Sequence, residues 1–536
     1  MGDEEVPWRD PEGKEAGLGC SLPDSDSCSL KGKGKEKADD TQHGPIFSLP
    51  TELIHQIFLY LSAFELIAVS KTCRAFHTLA NSDHLWHALV QANVPGARVI
   101  SPSPLPTFRA LYAAHDPHWF LTKHQIWFSD VDLTGRLIIV EYDQRRGCME
   151  GYQLVAVSHA EASQPWEVDP RVTIHDFQPK VALHLDRPVL RLAANTPEIL
   201  AQEEAAHEAI KVIDLRERDA DNFTQRAEPN PESEDAKPKS FNPETRMRVG
   251  YDNSMHSSFM LVRPATQDNH ALNPDEYPYA GVWPPPGFPT EHRVQGHDPY
   301  RIITAADGFH LPESRSEISE YGFRIKKWLE MRVSLGFMHE QNIFTEVLFH
   351  ARYPAPIAGM EISTFSTLDP KLYTPTADKP FRGIWVGDYS AHGCEFLLIH
   401  QPDDTPDTRF DEENFARLGN ESNETFNRRK NDARIYRGEL KAIKLTGDPN
   451  VPRGEYTFLV ENLGQHSICQ DEPFVGAKVV RSKGHIANHG FEDDEFINSQ
   501  LFLISHNRLA QHWHEFHHIS FFDRVDLDQF LKPTPR

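Results

Sequence analysis

From residue 45 to residue 90 the chain reads PIFSLPTELIHQIFLYLSAFELIAVSKTCRAFHTLANSDHLWHALV, which holds more aliphatic and aromatic side chain than so short a stretch can bury within itself. Leu53, Ile54, Ile57, Phe58 and Leu61 recur at helical spacing and predict one apolar face. Pro50 suits the first turn of that helix, and Glu52 complements the positive end of its dipole. A second helix carries Leu66, Ile67 and Val69, a third Phe76 and Leu79, and Leu85 and Trp86 follow. Three short helices cannot cover all of these, so some must face a further surface. Each side chain buried in a partner stabilises by about 1.5–3 kcal/mol, and five or six offset the costs of association.

Beyond residue 117 the period changes from helical to alternating. RLIIVEYD and GYQLVAV read as strands, with the turn signal DLTG (132–135) ahead of the first. GIWVGDY, CEFLLIH, LKAIKLT, GEYTFLV and LFLIS continue the series and predict an antiparallel barrel or sandwich. The expected fold class is α+β: a small three-helix unit at 45–92, a helical linker at 93–116, and a mainly antiparallel β-barrel or sandwich over 117–530. A disordered tail is expected at 1–44, where the run KGKGKEK reads as a solvated lysine tract or an import signal. Long polar insertions near 200–245, 264–300 and 402–432 read as flexible excursions.

Composition narrows the function. A formal charge of −24 argues against a nucleic-acid partner, which would need a basic face. Six cysteines without C-x-x-C spacing suggest a reducing compartment, cytoplasmic or nuclear. No apolar run approaches a membrane span, so no membrane partner is expected.

One motif invites a different reading. His514-Glu515-Phe516-His517-His518 satisfies H-E-x-x-H, which on a helix holds zinc beside a general base. HISFFDRVDL, however, has the bias of a strand, where residues four apart lie about 13 Å from one another. No His, Cys or Glu follows His518 to serve as a third ligand. The match is a coincidence in a His-rich chain.

Residues 46–91 resemble the F-box: LPTELIHQIFLYLS, LIAVSKTCRAFHTLA and LWHAL follow that family's order. The resemblance implies that Leu49, Pro50, Leu53, Ile57 and Leu61 dock on the adaptor Skp1, with Leu66, Val69 and Phe76 contributing, and that cullin-1 is reached through Skp1. Downstream, GIWVGDYSAHGCEFLLIH, LKAIKLTGDPNVPRGEYTFLV and SKGHIANHGFEDDEFINSQLFLISHNRLAQHWHEFHHISFFDRV resemble the substrate-binding β-barrel of the F-box only protein 31 family. Tyr389, His392, Gly393 and Glu395, and Thr446 to Asn450, carry that likeness. It implies the substrate receptor of a Skp1–cullin–F-box ubiquitin ligase, recognising the carboxyl-terminal end of a protein substrate. Members of that family hold a small zinc site of clustered Cys and His. No such cluster is legible here, so no metal or other cofactor is expected.

A receptor of this kind performs no covalent chemistry; it raises the effective concentration of substrate near the ubiquitin-charged enzyme. The expected substrate-binding residues are Asp448, Asn450, Thr446, Tyr389, His392, Glu395 and Asp388. Asp448 leads, because an Asp accepts from a terminal amide and repels a carboxylate. GDPN is also ideal turn chemistry, so Asp448 has a structural reading of equal weight, and for His392 the structural reading is the stronger. Trp385, Trp513 and Phe502 are expected in the core. A Skp1-bound protein acting outside the ligase, and a barrel for a small ligand, are the alternatives.

Overall fold

A computed structural model describes residues 46, 49–129, 134–158, 163–175, 177–194, 241–247, 255–264, 311–329, 360–389, 392–404, 410–412 and 415–532. The tail expected at 1–44, and almost all of the insertions expected at 200–245 and 264–300, lie outside these residues. The chain divides into two units, Met1–Ile57 and Phe58–Arg536.

The N-terminal helices are α1 (Thr51–Phe58), α2 (Ala63–Ser70), α3 (Arg74–Ala80) and α4 (Asp83–Ala92). Pro50 stands just ahead of α1, its carbonyl accepting from the amides of Leu53 and Ile54. A capping box starts α2: Ser62 Oγ accepts from the Glu65 amide, and Glu65 Oε2 accepts from the Ser62 amide at 2.7 Å. Trp86 is buried in α4 and donates from Nε1 to the Ala80 carbonyl at 2.8 Å. The apolar face predicted for α1 is split. Ile54 and Phe58 are buried, whereas Leu53 and Ile57 are each 44% exposed. The linker expected at 93–116 supplies α5 (Phe108–His115), and a further helix, α6 (Phe120–His124), falls within the span expected to be barrel.

Among the described residues twenty strands follow. β1 (Ile126–Ser129), β2 (Arg136–Asp143) and β3 (Cys148–Ser158) form a meander. Short strands come next: β4 (Ser163–Pro165), β5 (Thr173–His175), β6 (Pro179–Leu183) and β7 (Leu190–Ala193). β8 (Glu244–Met247), β9 (Met255–Leu261), β10 (Gly322–Leu329) and β11 (Met360–Ser366) complete a first sheet in the order β6-β3-β2-β1-β11-β10-β9-β8, with β7 beside β3. Its aromatics stack, Phe323 on Phe365 at 4.8 Å. After α7 (Pro370–Tyr373) come β12 (Gly383–Asp388), β13 (Cys394–His400), α8 (Asn423–Ile435), β14 (Leu440–Lys444), β15 (Tyr456–Val460) and β16 (His466–Ile468). β17 (Lys478–Asn488), β18 (Glu492–Ser505), β19 (Arg508–Trp513), β20 (His518–Arg524) and α9 (Asp528–Leu531) complete the described elements.

The second sheet closes on itself. β12, β13, β14, β15, β17, β18, β19 and β20 pair in that order, all antiparallel, and β12 pairs back to β20 through Trp385↔Arg524 and Gly387↔Phe522. This is an eight-stranded barrel, and closure leaves the ring without an edge. β5 adds to β20 in parallel, bringing β4 with it. The span expected to be one barrel domain, 117–530, therefore holds two sheets. The barrel's outer wall (Ile384, Leu398, Ile443, Phe502, Phe521) packs on Ile126, Phe128, Leu137 and Ile139 of the first sheet.

The acidic insertion near 402–432 is not the free excursion expected. Its described part contains α8, capped by Ser422, and ion pairs fasten it: Lys379–Asp404 at 2.8 Å, Arg382–Asp403 at 2.6 Å and Arg434–Asp378 at 2.8 Å.

Candidate functional site

Side chains alternate along a strand, so one row of every barrel strand faces the interior. Those rows change character in a common direction. On β14 the row runs Leu440, Ala442, Lys444; on β13, read backwards, Ile399, Leu397, Glu395; on β19, Leu509, Gln511, Trp513; on β17, Val480, Ser482, Gly484. Neighbouring strands run in opposite directions, so the polar members collect at one end. The apolar end is filled by Trp385, Phe458 and Phe522 and covered by Ile435 and Tyr436 at the end of the α8 insertion. Side chains occupy the space that a small-ligand barrel would keep open, and α8 stands at the end away from the polar group.

At the polar end, Lys444 is the centre. Its Nζ lies 2.6 Å from Asp448 Oδ2 and 2.8 Å from Glu395 Oε2, and 4.3 Å from the centroid of the Tyr389 ring. All three charged residues are at most 5% exposed. Tyr389 reaches across the interior to Thr457, hydroxyl to hydroxyl at 2.6 Å. Gly387 makes room for it, since a Cβ there would stand 2.6 Å from the Phe522 ring and 3.0 Å from Tyr389. Beside this group, Ser482 and Ser499 share a hydrogen bond at 2.7 Å and Gln511 Nε2 donates to Ser499 Oγ at 3.1 Å. Trp513 Nε1 donates to Ser520 Oγ at 2.9 Å.

The two carboxyls differ in their support. Burial opposes a charge on Asp448, but Lys444, the Glu395 side chain and the Val451 amide outweigh it and hold the carboxyl at about 2. Burial drives Glu395 well above the usual carboxylate range, and Asp448 adds to the rise against the pull of Lys444. Of the two, Asp448 is the carboxyl whose surroundings favour the charged form and Glu395 the one whose surroundings favour the neutral form. Burial, then Glu395, also push the Tyr389 phenol well up. The cluster sets the Lys444 amine beside two carboxyls, one favoured as the carboxylate and the other as the acid. Such a surface complements a group that both donates and accepts, as an amide does.

Both oxygens of Asp448 are engaged within the chain. Oδ1 accepts from the amides of Asn450 (2.7 Å) and Val451 (2.8 Å) and folds the turn, while Oδ2 faces Lys444. The turn is anchored on both sides: Gly447 N donates to Thr134 O at 2.8 Å, and Asn450 Nδ2 to Ala487 O at 3.0 Å.

Of the residues expected at the substrate site, Tyr389, Glu395 and Asp448 converge. Thr446 adjoins them, accepting from the Phe396 amide at 2.8 Å, and Asn450 serves the turn. Asp388 is buried but sits in register with Cys394, on the face opposite that of Gly387 and Glu395. His392 is exposed at the tip of its turn. Lys444, Thr457, Ser482, Ser499 and Gln511 were missed. The signal for Lys444 was its place in LKAIK, two residues beyond Ala442 in an inward apolar row. Trp385, Trp513 and Phe502 are buried, as expected of core residues.

The H-E-x-x-H motif spans the β19–β20 turn, with His517 at φ 49° and His518 opening β20. Among the described residues no group of three or more His, Cys, Asp or Glu is placed to hold a metal. Burial raises the Cys148 and Cys394 thiols to about 12 and about 11, which keeps both protonated.

In the helical segment Leu49 is 37% exposed and Pro50 is exposed, with Leu53 and Ile57 more so. Leu61, Val69 and Phe76 are half-buried. Leu66, expected to contribute to docking, is 1% exposed and so has no surface to offer; it holds α2 in place. Tyr60, 91% exposed, and Phe64, 55% exposed, are apolar surface that the expected docking set omitted.

Comparison with known proteins agrees with this division of the chain. Residues 46–92 match the F-box-like family model, which supports an F-box protein and, with it, the Skp1-binding role that such segments have in Skp1–cullin–F-box ligases. Proteins of this kind are typically non-catalytic adaptors, and no catalytic family is indicated. Residues 365–529, which contain the barrel, match the Cyclin D1 binding domain model. Over 153 residues the chain is 26% identical to Protein EXECUTER 2, chloroplastic, of Arabidopsis thaliana, covering 27% of this chain and 21% of that protein. The match thus takes in about a fifth of that relative's length.

Proposed function

We propose that this chain is the substrate receptor of a Skp1–cullin–F-box ubiquitin ligase, and that the polar end of its barrel captures the carboxyl-terminal end of a protein substrate. The observation that carries the reading is the presence, on one chain, of an F-box match and a closed barrel whose interior polarity is confined to one end. The description of the matching barrel model, a cyclin D1 binding domain, favours a protein ligand over a small molecule. Exposed Leu49, Leu53 and Ile57 supply apolar surface for Skp1, through which cullin-1 is recruited. Lys444, Asp448 and Glu395, with Tyr389, supply the donor–acceptor pattern for a chain end, and a terminal amide fits it better than a second carboxylate beside Asp448. The captured substrate is then ubiquitinated and degraded by the proteasome.

The test is affinity purification of the tagged chain beside a Leu49→Ala/Pro50→Ala/Leu53→Ala variant, with partners identified by mass spectrometry. Skp1 and a cullin are expected with the natural chain and absent with the variant. Recovery of Skp1 without a cullin would favour a role outside the ligase, and recovery of neither would remove the receptor reading.

A further inference from the structure

The Phe58–Arg536 unit contains both α2 and the first sheet, and one side chain reaches from the sheet to the helix. Residues 311–321 lead into β10 and are fastened to the end of β9. Ser319 N donates to Val262 O at 2.8 Å, and Arg263 Nη2 lies 2.9 Å from Glu317 Oε2. From the short helical turn Arg315–Glu317 in this segment, the Arg315 guanidinium extends to lie 4.5 Å from the centroid of the Phe64 ring on α2. The same guanidinium pairs with Asp116, the residue that ends α5. Nearby, Lys123 of α6 pairs with Glu320 at 3.0 Å. Stacking on an aromatic ring while pairing with a carboxylate uses the planar fork of arginine, which lysine does not reproduce.

We infer that Arg315 is a positioning residue: it splints α2 to the first sheet and so fixes the direction in which that sheet, and the barrel packed on it, faces α2. The inference rests on the receptor reading for its functional consequence and on geometry alone for the splint. Transfer to a tethered substrate depends on effective concentration at the reacting centre, which falls when the joint between the two ends loosens and the substrate samples a larger volume. Arg315 is not among the residues of the Lys444 group, but it stacks on Phe64, part of the exposed apolar surface of the helical segment, so adaptor affinity is measured for every variant and transfer is compared with the adaptor saturating.

The experiment places ketone-bearing residues at exposed Lys71, just after α2, and exposed Lys180, in β6, attaches spin labels, and measures the distance distribution in the full chain. The natural chain is expected to give a narrow distribution. Arg315→Ala and, separately, Phe64→Ala are expected to broaden it about twofold, with Arg315→Lys in between, since it keeps the ion pair and loses the stack. In a reconstituted ligase with adaptor and substrate both saturating, ubiquitin transfer is expected to fall about three- to tenfold for Arg315→Ala. Unchanged distance distributions in both alanine variants overturn the splint. Broadened distributions with unchanged transfer overturn the positioning role. Failure of the natural chain to bind the adaptor removes the receptor reading, and the distance measurement then decides the splint alone.

Discussion

Lys444 and Asp448, one turn of chain apart, form an ion pair of 2.6 Å inside the barrel, with Glu395 2.8 Å from the same ammonium. One cation shared by two carboxyls makes the pair asymmetric to mutation. Removing the cation leaves a buried anion unpaired, a change that costs about 3–5 kcal/mol. Removing Asp448 leaves Glu395 in place to ionise against Lys444. Lys444→Ala is therefore expected to lower stability by that amount, and Asp448→Asn by about 1–3 kcal/mol, the cost of a weakened turn. Urea unfolding of the two variants decides; equal losses would mean that Glu395 does not substitute.

The same pair predicts a separation of functions. Asp448→Asn, measured where it is fully folded, is expected to weaken capture of a substrate chain end at least tenfold and to leave Skp1 affinity unchanged, because Asp448 Oδ2 is the acceptor of the group and an amide nitrogen cannot replace it. Purified binding assays with amide-terminated and acid-terminated peptides read this directly. Unchanged affinity for both peptides would take Asp448 out of the site.

Much of this was legible beforehand, for physical reasons that also explain the gaps. Barrel strands such as Gly383–Asp388 and Cys394–His400 are buried on both faces, so they read as short apolar runs bounded by turn signals. The closure from Trp385 to Arg524 joins segments far apart in sequence, and no local pattern records it. The first sheet was harder still, since β1 pairs with β11 across long polar insertions. The helix α8 escaped because it has no buried residue. Arg429 holds the insertion together through Glu421 at 2.9 Å and the ring of Phe415 at 4.4 Å, contacts that leave no apolar period to detect. In the candidate site, the turns that flank the polar cluster carried recognisable residues, whereas Lys444 ends a strand, where a lysine ordinarily marks the solvent face.

Acid is expected to destabilise the chain through two histidines beneath the first sheet. Burial lowers His115 to about 4, and burial, together with His115, lowers His118 to about 3. His118 Nε2 has no hydrogen-bond partner, and its ring meets Phe259 edge-on at 5.1 Å. The unfolded chain takes up protons near 6.5 and the folded chain does not until pH 3–4, so stability is full above pH 6.5 and is lost as pH falls through that window. For His118 the loss is on the order of 3–5 kcal/mol by pH 3. His118→Gln should flatten the stability–pH curve between 6.5 and 3. A slope unchanged by the substitution would place the titration elsewhere.

Gly484 and Trp513 form a steric pair at the polar end. A Cβ at 484 would stand 2.3 Å from the indole and 3.0 Å from Gln511 Nε2. Gly484→Ala is expected to cost about 1–3 kcal/mol by overpacking. Trp513→Leu in the same chain should recover a large part of that loss, a coupling between neighbours that a double-mutant cycle measures. Additive losses would show that the strand shifts rather than the ring.

The helical segment separates surface from support, and the separation can be measured. Leu53 and Ile57 are exposed without an obvious role in the isolated chain, so Leu53→Ala with Ile57→Ala should change stability by no more than about 0.5 kcal/mol for each. The same pair should weaken Skp1 binding at least a hundredfold, since each buried aliphatic contact contributes about 1.5–3 kcal/mol. Leu66→Ala should do the reverse to the fold: a fully buried leucine leaves a cavity costing about 2–5 kcal/mol. Calorimetry for adaptor affinity and thermal unfolding for stability give the two readouts for each variant. If Leu53→Ala/Ile57→Ala lowers the melting temperature as much as Leu66→Ala does, the exposed leucine and isoleucine support the fold, and the adaptor surface must be sought at Tyr60 and Phe64.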